Sequence, residues 1–178
     1  MRIPVAALAA LFLLSACAGT SATIKSGELS EQDARAYLIL SDQLRRVRNV
    51  WKNPVGVCLA AGDLGDTPLY RTGLDVVSPE VLDRLRADNE NAEIKLNIES
   101  SQDCLSRHAA ASSTTGKVLV LAGQGMGSSP MGAGNCKQFE GVIYAPPINR
   151  LVTYDFEQRD GVLALTGGDV CITGWYRQ

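Results

Sequence analysis

Histidine is nearly absent from this chain: His108 is the only one in 178 residues. There is no CxxC pair either, although five cysteines are present. Together these shortages argue against the usual zinc sites, which draw on several cysteines and histidines at close spacing. Aromatic residues make up only 6%, and basic residues are not in excess, with 17 Lys+Arg against 19 Asp+Glu for a net charge of −2. A nucleic-acid-binding domain would show a basic surplus, so no nucleic-acid partner is expected. No apolar run reaches the roughly 20 residues that a spanning helix needs. The glycine stretch at 123–134 lacks both the Gly-Lys-Ser/Thr of a phosphate loop and the third glycine of a dinucleotide fingerprint, so it reads as a hairpin loop. No cofactor and no metal are expected.

What is present begins at the first residues. Met1 and Arg2 form a short positive region, and residues 3–14 are apolar. That has the proportions of a secretory signal. It runs into Leu14-Ser15-Ala16-Cys17, which resembles the lipobox of bacterial lipoproteins. The resemblance implies that residues 1–16 are a signal peptide and that Cys17 becomes an acylated N-terminus. Several acyl chains would hold the protein firmly on a bilayer, where a single chain would not. Ala18, rather than Asp, follows Cys17, and by the family's sorting rule this points to the periplasmic face of the outer membrane. Residues 17–29 then read as the lipidated cysteine and a flexible tether. Its twelve residues after Cys17 would span about 17–21 Å on average and near 40 Å at full extension.

Removing residues 1–16 takes away Arg2 and no acid, leaving 16 basic against 19 acidic residues, a net −3. Four cysteines remain: Cys58, Cys104, Cys136 and Cys171. An even number in an exported chain suggests two disulfides. Three connectivities are open; Cys58–Cys104 with Cys136–Cys171 is favoured, because each pair stays within one half of the chain.

Residues 30–178 read as a single α+β domain. Ser30 and Asp33 resemble a capping box, and Tyr37, Leu40, Leu44, Val47 and Trp51 recur at helical spacing up to Asn53-Pro54. Ser78-Pro79-Glu80 starts a second, shorter helix. Strands are expected at 55–60, 92–99, 117–122, 139–145, 151–157, 162–166 and 170–176. Asp160-Gly161 marks a hairpin turn and Gly167-Gly168 a bend or bulge. The pattern predicts one long N-terminal helix and one short helix on an antiparallel sheet of five or six strands. This order of elements loosely resembles small bacterial envelope proteins of cystatin-like or NTF2-like shape.

No catalytic constellation stands out. His108 with Ser106 lacks a nucleophile elbow, and an even cysteine count leaves no free thiol for it to activate. Asp63 with Asp66, or Asp155 with Glu157, could serve a carboxylate-dependent hydrolase by spacing alone. Arg45, Arg46, Arg48 and Lys52 form the one basic cluster, a possible contact with a membrane or a partner. Tyr37, Trp51, Tyr154 and Phe156 could line a pocket for a small apolar ligand. The leading expectation is a non-catalytic, membrane-anchored periplasmic lipoprotein that binds the bilayer through Cys17 and another envelope component through its domain.

Overall fold

The computed structural model describes residues 22–50, 56–61, 77–100, 117–125, 139–145 and 148–175. Among these the elements run β1 (Thr23–Lys25), α1 (Glu31–Val50), β2 (Gly56–Ala61), α2 (Pro79–Glu90), β3 (Asn97–Glu99), β4 (Lys117–Gly125), β5 (Phe139–Ala145), β6 (Ile148–Arg159) and β7 (Val162–Trp175). The strands form one seven-stranded sheet in the order β1-β7-β6-β5-β4-β2-β3. From β1 to β4 neighbours are antiparallel; β2 runs parallel to both β3 and β4. The fold is α+β, as the sequence predicts, with a parallel end that widens the sheet. A helix between β2 and β3 returns the chain to its starting end, so those strands must run the same way.

Local chemistry starts both helices. The Ser30 hydroxyl accepts from the Asp33 N–H at 3.1 Å, the N-cap half of the predicted capping box, and donates to the Asp33 carboxylate at 2.7 Å. Ser78 caps α2 by accepting from the Val81 N–H, with Pro79 in the first turn. The β6–β7 turn is the predicted one: Asp160 and Gly161 have φ of 52° and 72°, the signature of a two-residue hairpin loop.

Three expectations change. The stretch expected as tether is structured from Ala22: β1 pairs with β7, Ser26 N–H bonds the Gly161 carbonyl, and Glu28 forms a 2.6 Å ion pair with Arg84 of α2. Small polar residues carry little periodicity, so a three-residue edge strand is invisible in them. The strand expected at 92–99 shortens to Asn97–Glu99, because the buried Asn89 amide takes the place of a strand partner. Its carbonyl accepts from the Leu96 N–H at 3.0 Å and its NH₂ donates to the Leu96 carbonyl at 2.9 Å. Helix α1, read as having one apolar stripe, is buried almost all round in its middle, from Ala36 through Leu40. The curled sheet and α2 surround it, touching it from β1, β4, β5, β7 and α2.

The core lies between α1, α2 and one sheet face, built from Leu38, Leu40, Leu44, Val57, Leu59, Val81, Leu85, Val118, Val120 and Val152. On the other face Cys58, Ala60 and Leu119 are buried as well. Strands enclosed on both sides read as continuous apolar runs, which is why residues 57–60 carry no polar alternation.

One tight contact tests this packing. Gly141 of β5 lies under α1, and a Cβ there would stand 2.8 Å from the Tyr154 ring and clash with the Gln43 amide. Gln43 is itself fully buried, and neither polar atom of its side chain has a hydrogen-bond partner among the described residues. Gly141→Ala is therefore expected to cost about 1–3 kcal/mol through overpacking. Gln43→Met keeps the shape, removes the unsatisfied amide, and is expected to stabilise by about 1–2 kcal/mol. Urea unfolding midpoints of the two variants should move in opposite directions.

Candidate functional site

The C-terminal half of α1 places three residues of one face toward β6 and β7. Asp42, Arg45 and Arg46 are spaced i, i+3 and i+4, close enough on a helix to pair. The Asp42 side chain is only 3% exposed. One of its oxygens accepts from Arg45 Nη2 at 2.5 Å; the other accepts from Arg46 Nε at 2.5 Å and from the Tyr154 hydroxyl at 3.1 Å. Arg46 Nη2 continues to the Gly168 carbonyl at 2.8 Å. Gly168 pairs directly with Tyr154 across the ladder, so both attachment points sit side by side on the sheet.

The sheet is irregular where the helix meets it. Phe156 pairs with Leu165 but Asp155 with Gly167, which leaves Thr166 as an extra residue in β7. The bulge expected around Gly167-Gly168 is thus present, and bulges of this kind re-aim the backbone beside sites. A Cβ on Gly168 would meet the Tyr154 ring at 3.0 Å and Arg46 Nη2 at 3.1 Å, so the guanidinium approaches closely only because this residue is glycine.

Between α1 and this bulge lies a cleft of about 270 Å³, lined by Ala22, Ser41, Asp42, Arg45, Arg46, Arg48, Leu165 and the backbone around the bulge. Two guanidiniums, Arg45 and Arg46, face the Asp42 carboxylate, and Arg48 adds a third positive charge to the lining, leaving two in excess. Arg45 is the most available: its side chain is 64% exposed. Arg48 is anchored at the cleft's far side, donating to Asn89 Oδ1 at 2.8 Å and to the Ile94 carbonyl at 3.0 Å. Among the described residues no carboxylate lies within 4.0 Å of it. Burial lowers the Arg48 pKa, and the more distant Asp88 charge only partly offsets this.

Burial by itself would push the Asp42 carboxyl up. Hydrogen bonds and charge from Arg46 and Arg45 outweigh that and hold it below the ordinary carboxylate value. For Tyr154, burial first and the Asp42 charge second push the hydroxyl well above the usual tyrosine value. Asp42 thus stays ionised with its oxygens committed, and Tyr154 stays protonated. What this arrangement offers a ligand is fixed positive charge, not a proton to exchange.

The basic cluster foreseen in the sequence is brought together for Arg45, Arg46 and Arg48; Lys52 lies outside the described residues. The aromatic pocket is not assembled. Tyr37 faces α2, donating to Asp88 at 2.6 Å with Arg84 stacked on its ring. Tyr154 faces Asp42, Phe156 is half-buried beneath Arg35, and Trp51 is outside the described residues. Asp155 and Glu157 are exposed on β6; Asp63, Asp66, Ser106 and His108 lie outside. Cys58 is buried in β2 and is engaged by a neighbour. Cys17, Cys104, Cys136 and the Cys171 side chain are not among the described groups. Sequence reasoning missed Asp42, although its spacing to Arg45 and Arg46 was a usable signal. It also missed Ser41 and Asn89, which carry no local signature.

Compared with known proteins, the chain matches no family model, no curated protein and no solved structure.

The depressed Asp42 pKa has a defined consequence for acid stability. An aspartate titrates near 3.9 when unfolded and lower here when folded. Its contribution is fully present above the unfolded value and is lost as pH falls through the folded one. Asp42→Asn should lose about 2–3 kcal/mol at neutral pH, less than a fully buried pair because Arg45 is largely in solvent. Its stability should also fall less steeply below pH 4 than the parent's, measured by urea unfolding across an acid pH series.

Proposed function

We propose that this protein is a non-catalytic, lipid-anchored periplasmic lipoprotein whose domain binds an anionic group of another envelope component in the arginine-lined cleft. The observation that carries the binding half is the cleft's charge: three arginines in its lining, Arg45 mostly exposed, against a single carboxylate that Arg45 and Arg46 already neutralise. Low-dielectric walls concentrate such a field, and the planar guanidinium fork suits carboxylate or phosphate oxygens. The anchoring half is supported by the lipobox-like Leu14-Ser15-Ala16-Cys17 and the apolar segment before it. No helix among the described residues is long and apolar enough to cross a membrane, and the reading needs none.

In the same reading Cys58 pairs with Cys104 and Cys136 with Cys171. An even count after Cys17 and the buried, engaged state of Cys58 support two disulfides, and the choice among the three connectivities rests on each pair staying within one half of the chain. The outer membrane is the favoured location, on the strength of Ala18 after Cys17.

Two outcomes are expected. Cys17→Ser should abolish incorporation of labelled palmitate, and unchanged labelling refutes the anchor. Millimolar inorganic phosphate should slow amide hydrogen exchange at residues 165–169 in the parent and not in Arg45→Gln. Equal exchange with and without phosphate in the parent refutes the anion site.

A further inference from the structure

The structured start of the domain puts the cleft beside the place where the chain would leave the membrane. Ala22 is a wall of the cleft, and its carbonyl accepts from the Leu165 N–H at 3.4 Å, next to the Thr166 bulge. From Cys17 to Ala22 is five residue steps, a reach of about 17 Å even fully extended. The following turn is clamped in two directions, by the Ser26 bond to Gly161 and the Glu28–Arg84 ion pair. The domain therefore has no long leash on which to turn its cleft away.

We infer that the cleft docks onto the phosphate of an anionic lipid headgroup in the same bilayer that holds Cys17, with Arg45 as the principal contact. This rests on the lipoprotein reading and names the ligand of its binding site. Among the described residues, Arg45 spends only Nη2 on Asp42, so the rest of its fork faces outward. Asp42 is already neutralised by Arg46, which removes the repulsion a bare carboxylate would exert on an incoming phosphate. Tethering supplies the remaining affinity. A weak site held within about 17 Å of a headgroup layer meets its ligand at millimolar or higher effective concentration. A soluble anion or a distant partner gains nothing from so short a tether.

The test uses the whole chain as Cys17→Ser, floated with phosphatidylcholine vesicles and with vesicles that also contain phosphatidylglycerol. Residues 3–14 contribute alike to both, so the readout is the ratio of anionic to neutral partitioning. Arg45→Gln in this background should lower that ratio about fivefold, the usual effect of one arginine near an anionic surface. Thr166→Glu, at an exposed position on the cleft's rim, should lower it in the same direction. Anionic vesicles should also slow amide exchange at residues 165–169. An unchanged ratio in both variants overturns the inference. Slowing by inorganic phosphate but not by anionic vesicles overturns it too, while leaving the anion-binding reading intact. No response to either ligand refutes both.

Discussion

The Asp42 carboxylate is the contact on which the arrangement of the site depends. It is almost wholly removed from water, a costly state for an ionised group unless partners meet it from several sides. Here two come from its own helix and one from the sheet: Arg45, Arg46 and the Tyr154 hydroxyl. Because Arg46 also bonds Gly168, the same few atoms tie α1 to β6 and β7. Rotating the helix or sliding it along the sheet would strand a buried charge. A packed apolar interface alone would tolerate such shifts far more readily.

That charge network also shapes what lies outside it. Neutralising Asp42 leaves Arg45 and Arg46 fixed in place, so the cleft presents organised positive charge without the entropy loss of immobilising free side chains. The Thr166 bulge opens the sheet backbone at that point, and Gly168 gives the guanidinium room. Arg48, held by Asn89 and the Ile94 carbonyl, extends the charge toward α2. Asn89 thereby serves two ends at once, closing the loop before β3 and orienting an arginine.

Much of the fold was legible because it rests on local chemistry. Ser30 with Asp33, Ser78 with Pro79, and Asp160 with Gly161 each satisfy backbone groups within a few residues, so their roles follow from spacing. The β1 strand was illegible for the opposite reason: Thr23, Ile24 and Lys25 become a strand only because β7 offers them an edge. The burial of Asp42 and Gln43 was hidden likewise. On an isolated helix Asp42 belongs to the polar face and Gln43 to the edge of the apolar stripe, and the sheet curled around α1 covers them both. The arginine cluster was visible as charge, but its division of labour was not.

The sequence by itself determined the helix starts, the hairpin turn, the strand-rich second half and the α+β class, since each depends on periodicity or on hydrogen bonds between near neighbours. The tertiary structure alone decided which charges meet. Tyr154 lies 112 positions from Asp42, and Gly168 lies 122 from Arg46. No local rule connects groups so far apart; they meet because α1 is seated in the curl of the sheet, where the Coulomb attraction of a desolvated carboxylate selects their geometry.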